Sequence, residues 1–306
     1  MNNTSQRAKG IIMIISGAML WGATGPMMEW VLSSTSISVS FMLTVRLVLA
    51  GLMLLGFLSF KRVKIFSIWK NKYWLLKLIT FGIFGMLGVQ YTFVAAIDAS
   101  NAVLATLLQF LAPIFIMLYI SFSQRKLPPK YQVIGIVGTL LGLFLLLTNG
   151  SLTSLLVSNS ALLWGLGVGL TFSFYTLYPT SLMNEWGVLI VVGWGMLIGG
   201  LVLGIFNGFW KFDDYIILTQ PTISAMLVAI IFFGTLAFVL FLGSMKHISP
   251  VETSILSSME PLTAMFISVI WLNRTLEIWQ IVGVICMISF VTWLSIEGSR
   301  RTKLLK

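Results

Sequence analysis

The chain has 306 residues, of which 58% are apolar and only 9% charged, against roughly 25% charged in an ordinary soluble domain. That balance excludes an aqueous globular fold, and a single cysteine excludes both a disulfide framework and a cysteine metal cluster. The net charge of +10 does not indicate nucleic acid, because the basic residues collect in short loops rather than along one exposed face.

A helix needs about 20 apolar residues to cross roughly 30 Å of hydrocarbon, and ten stretches qualify. The first, 10–31, follows Arg7 and Lys9 as a signal peptide would. It is too long for an apolar signal core and carries Glu29, so it is read as a retained helix. It sets Trp21 and Thr24 beside Pro26, and proline deletes a backbone donor and frees a carbonyl one turn earlier. The second stretch, 39–60, holds Arg46 about seven residues from its start, roughly 10 Å deep. The third, 74–96, has Gly82, Gly85 and Gly88 along one face, as small residues do where helices pack closely. Gln90 and Tyr91 follow in the same stretch. The fourth, 99–121, places Gln109 four residues before Pro113, and the fifth covers 130–148.

Residues 148–160 are polar, uncharged and turn-forming, and they mark the boundary between two halves, 1–149 and 150–306. The sixth stretch, 160–180, repeats the glycine spacing at Gly165 and Gly169 and carries Phe172, Phe174, Tyr175 and Tyr178 before Pro179. Tyr175 and Tyr178 are one turn apart and are expected to face together, with Thr171 below. Such a face suits a cation or a planar ring, or else simple packing and an interfacial belt. The seventh and eighth stretches cover 187–206 and 222–243. Ser249-Pro250-Val251-Glu252 reads as a capping box that opens the ninth, 250–271, with Glu252 as the cap. Glu260 lies about ten residues into it, roughly 15 Å deep. The tenth, 277–296, contains Cys286.

The fourth and fifth stretches recur. Leu107–Tyr131 returns ungapped as Ile255–Trp279 at an offset of 148, which matches Pro113 with Pro261, Met117 with Met265, Gln132 with Gln280 and Gly135 with Gly283. Five helices per copy is an odd number, so the copies enter the membrane from opposite faces. Pro26, Pro113, Pro179 and Pro261 then interrupt the first and fourth helix of each half, where polar backbone becomes available to a ligand. Loops on one side hold sixteen basic residues, from Arg7 to Lys306, and those on the other hold Lys211 and Arg274. By the positive-inside rule the first side, with both termini, is cytoplasmic.

A charge in the membrane is costly, so Arg46 and Glu260 are the leading functional candidates. Two readings stand side by side: a permanent ion pair joining the second and ninth helices, or a Glu260 that meets substrate or a proton during transport. Gln90 and Gln109 either bond a neighbouring helix or line a cavity. The single histidine, His247, lies at a helix end, and neither a zinc motif nor a nucleotide loop is present, so no enzyme, metal or cofactor is expected.

With the ten helices, the duplication and Met259-Glu260-Pro261 together, the chain resembles the EamA-type drug/metabolite transporters. The resemblance spans nearly the whole length and rests on Pro113, on Glu260-Pro261, and on Gln132-x-x-Gly135 and Gln280-x-x-Gly283. Arg46 falls where such proteins often carry a basic residue. The chain departs from them at Lys126 and Arg274, where the family commonly has a glutamate. The resemblance implies an all-α membrane protein in which two inverted five-helix repeats surround a central cavity, with the fifth and tenth helices outside. It also implies movement of a small metabolite, often outward, at the plasma membrane. The expected site is Glu260 and Arg46 with Trp21, Thr24, Gln90, Tyr91, Gln109, Tyr175 and Tyr178 around them, a proton or counter-solute as a candidate partner, and a monomer or homodimer as the working form. A non-transporting sensor or assembly subunit and a lipid flippase are the alternatives.

Overall fold

The computed structural model describes residues 3–123, 125, 129–151, 158–211, 213–249, 252–253, 256–257, 259–273 and 275–304. Pro250, Lys126, Arg274 and the middle of the stretch between the halves lie outside these. The described residues form helices joined by turns and short connections, with no strand among them. The first half runs α1 (Asn3–Ser34), α2 (Val39–Phe60), α3 (Lys72–Thr80), α4 (Gly88–Ala99), α5 (Ala102–Gln109), α6 (Ala112–Ser123) and α7 (Lys130–Thr148). The second continues with α8 (Asn159–Leu177), α9 (Thr180–Trp186), α10 (Val188–Phe206), α11 (Pro221–Ser244), α12 (Met259–Trp271) and α13 (Ile278–Leu304). Among the described residues, seven helical spans are long and apolar enough to cross a bilayer, and three further apolar helices, Val133–Leu145, Met259–Trp271 and Ile278–Phe290, are shorter.

Local chemistry sets the helix starts. Ser38, Asn71, Asn101 and Ser158 each accept a backbone N–H of the first turn with the side chain, and Pro221 occupies the first turn of α11 where its missing donor costs nothing. The capping box appears as its sequence says. Glu252 N donates to Ser249 Oγ and Ser249 N to Glu252 Oε2, both at 3.1 Å. Between α7 and α8 the chain turns through Asn149 and Gly150, both left-handed, and between α9 and α10 through Gly187 at φ 84°.

Two features depart from the sequence expectation. Pro26 does not interrupt the first helix, because α1 continues through it to Ser34; proline deletes one donor, and the flanking turns carry the helix past the gap. The third span is regular only in part. Between α3 and α4 the chain makes a π-helical stretch over Phe81–Leu87, which admits one extra residue per turn and re-aims the residues after it, Gln90 included.

Close helix contacts run through glycine. On α10, a Cβ at Gly200 would lie 2.8 Å from Val48 N and 2.9 Å from Leu47 Cβ. Facing it on α2, one at Gly51 would lie 2.7 Å from Leu197 N. Side chains at either position would push the two helices apart, and α2 carries Arg46. The expected packing role of the small residues on α8 is also seen, since Gly165 faces Leu108 and Gly169 faces Leu111 and Phe115. Helices α7 and α13 pack on each other. There Cys286 Sγ donates to Gly138 O at 3.5 Å, across a sequence separation of 148, the offset of the repeat.

Candidate functional site: a buried chamber with two unlike charges

The chain tightens where the repeat is most distinctive. After Gln109, the last residue of α5, Phe110 and Leu111 donate only three residues back before α6 begins. Glu260 N does the same to Ser257 O at 2.9 Å. These breaks turn Gln109 and Glu260 inward, and the two side chains meet: Gln109 Nε2 donates to Glu260 Oε2 at 2.8 Å. Glu260 is 2% exposed, so an amide from the first half holds a carboxylate of the second away from water and lipid. At the matched position, Ala112 faces α8 instead, where its carbonyl accepts from Ser173 Oγ at 3.1 Å. On the other side Gly22 of α1 lies against the backbone of Glu260 and against Thr263, a close approach that any side chain at 22 would prevent.

These residues border a chamber of about 340 Å³, including its open mouth. Trp21, Thr24, Arg46, Gln90, Gln109 and Glu260 all line it, together with Met28, Val89, Phe93, Phe172 and Phe238. Arg46 and Glu260 share the chamber without pairing. The guanidinium makes no ion pair among the described residues, and its Nη1 lies 3.1 Å from Met28 Sδ. The permanent ion pair between the second and ninth helices is therefore not what holds them.

Three of the expected site residues lie elsewhere. Tyr175 is fully buried behind the chamber wall, packed among Trp21, Phe81, Phe172, Phe238 and Phe241. Tyr178 turns away from it, stacked on Phe174 with Lys77 Nζ 5.7 Å from its ring centroid. Residues three apart differ by about 60° around a helix, enough for a dense aromatic cluster to take one tyrosine and leave the other at its edge. Tyr91 packs edge-on against Trp164.

Glu29, read in the sequence only as a mark against a signal peptide, has a definite place. It is 5% exposed, and its Oε2 accepts the amide of Ala102 at 2.8 Å, the first residue of α5. A carboxylate at a helix start is favoured by the helix dipole and the free N–H groups there. Its sequence signal was available: an acid inside an apolar stretch needs a partner.

The model of the EamA-like transporter family matches residues 8–148 and again 159–296. The chain belongs to the EamA-like transporter family. It is thus a membrane transporter by family, which points away from an enzyme. It is 35% identical to the "uncharacterized inner membrane transporter YicL" of Salmonella typhimurium, over 96% of this chain and 98% of that protein. A crystal structure of a protein 15% identical superposes with a TM-score of 0.70 over 96% of this chain and 98% of the other; at that identity the likeness concerns fold alone.

Proposed function

We propose that this EamA-family protein is a secondary transporter that moves a small metabolite, an amino acid, an amine or a related organic solute, out of the cell by alternating access. It would sit in the plasma membrane with both termini in the cytoplasm, as ten helices in two inverted repeats, 1–149 and 150–306. The observation that carries this reading is the chamber itself. Its polar centre is assembled from both halves, Gln109 from the first and Glu260 from the second, and a site at the junction of two repeats changes access when one rocks against the other. The double family match and the contact between matched positions Gly138 and Cys286 support the repeat. The relative's name as an inner membrane transporter supports the location.

The test is flux of a solute panel into vesicles reconstituted with the purified protein. Glu260→Gln should abolish or uncouple flux while the protein stays folded and monodisperse. Normal proton-coupled flux in that variant would remove Glu260 from the mechanism.

A further inference from the structure

Arg46 is 5% exposed and carries five N–H donors, yet its recorded partner is a methionine sulfur. A thioether is a weak acceptor, and it supplies no counter-charge for a guanidinium taken out of water. The surrounding structure nevertheless makes space for the group. Gly234 of α11 lies flat against it: a Cβ there would be 3.2 Å from Cζ and 3.3 Å from Nε of Arg46, and closer still to Nη2. An α2 side chain is thus received by the bare backbone of a helix from the other half.

The opposite charge in the same chamber is treated differently, since Glu260 is held by Gln109. One charge has a dedicated neutral donor and the other has no oxygen acceptor among the described residues. The same chamber is also lined by the apolar side chains of Val89, Phe172 and Phe238.

Resting on the transport reading above, we infer that Arg46 is the carboxylate-binding residue of the solute site. The transported class is then a small zwitterion whose carboxylate docks on Arg46 and whose ammonium faces Glu260. A carboxylate replaces the sulfur contact with two parallel charge-assisted hydrogen bonds, the geometry a planar guanidinium is built for. A zwitterion adds no net charge, so loading it leaves the net charge of the chamber as it was. A plain amine or a plain acid changes that charge and leaves one end of the site without its counterpart. A zwitterion satisfies both ends at once.

The experiment measures calorimetric binding of matched probes to the full-length protein in detergent. The aliphatic set is leucine, 3-methylbutylamine and 4-methylpentanoate; the aromatic set is phenylalanine, 2-phenylethylamine and 3-phenylpropanoate. In at least one set the zwitterion should bind more tightly than the amine by roughly ten- to a hundredfold, as a charged hydrogen-bonded contact is worth. That lead should vanish in Arg46→Gln and survive in part in Arg46→Lys. Gly234→Ala, which crowds the guanidinium without removing it, should shrink the lead. An amine that binds as well as its zwitterion, a lead retained in Arg46→Gln, or no zwitterion binding in either set overturns the assignment. Vesicle flux separates this from the wider reading. Transport of amines with no carboxylate preference sinks the role of Arg46 and leaves transport standing, whereas zwitterion binding by a protein that moves nothing does the reverse.

Discussion

Removing the Glu29 carboxylate tests whether α1 anchors the helix that carries Gln109. Glu29 Oε2 accepts the Ala102 amide at 2.8 Å in a buried setting, and a hydrogen bond to a charged group contributes about 1.5–3 kcal/mol. A negative charge at a helix start adds about 0.3–1 kcal/mol, so Glu29→Ala should cost about 2–4 kcal/mol. Glu29→Gln keeps an acceptor but loses the charge, and should cost about half as much. At about 2–4 °C per kcal/mol for a large domain, the alanine variant should melt about 4–16 °C below the parent and the glutamine variant in between. The assay is thermal denaturation of the detergent-solubilised chain with a thiol-reactive fluorogenic dye. Its reporter is Cys286, the one thiol in the sequence, which is partly buried in the native state. An alanine variant that melts within 1 °C of the parent would show the anchor to be worth less than about 0.5 kcal/mol, and the reasoning would fail.

Gly200→Val should destabilise by at least about 1–3 kcal/mol, because the new side chain meets the backbone of Val48 rather than a movable group. It should also depress flux, since α2 and its Arg46 must move; a variant with parental melting and flux would contradict the packing argument. At the opposite end of α1, Glu252→Ala should lose about 0.5–1.5 kcal/mol of cap, because its Oε2 no longer accepts the Ser249 amide. Arg7→Ala should lose well under 1 kcal/mol, because its 2.9 Å bond to Glu252 Oε1 is partly exposed and screened. Equal melting shifts for the two variants would mean that the ion pair, not the cap, sets the stability of that end.

Features carried by a few neighbouring residues were legible in the sequence. The second span matches its expected limits at Val39 and Phe60, and the Ser249/Glu252 cap is present. The glycines on α8 face Leu108 and Leu111, as their spacing suggested. Features that depend on how distant segments meet were not. Gln109 and Glu260 each stood out, but nothing local says that they bond to each other across 151 residues. The π-helical stretch at Phe81–Leu87 leaves no periodic trace, so the direction of Gln90 and Tyr91 was unreadable. Tyr175 and Tyr178 show the limit from the other side: their spacing was right, and Trp21, Phe238 and Phe241 from other helices decided which one became buried. Glu29 falls near the end of its apolar stretch, where depth does not single out a charge, whereas a helix end offers a carboxylate a partner anywhere.

The contact of Cys286 with Gly138 has a further meaning for a duplicated chain. Where a position touches its own counterpart, one residue type must serve both sides of the contact in any assembly of two identical copies. A side chain at 138 would run into the Phe290 ring, so cysteine on both sides is sterically barred, and glycine on both would leave a gap where the thiol now fits. Joining the copies in one polypeptide removes that constraint, because each copy can mutate alone. The small residue and the larger one can then be shared out, as Gly138 and Cys286 are across this seam.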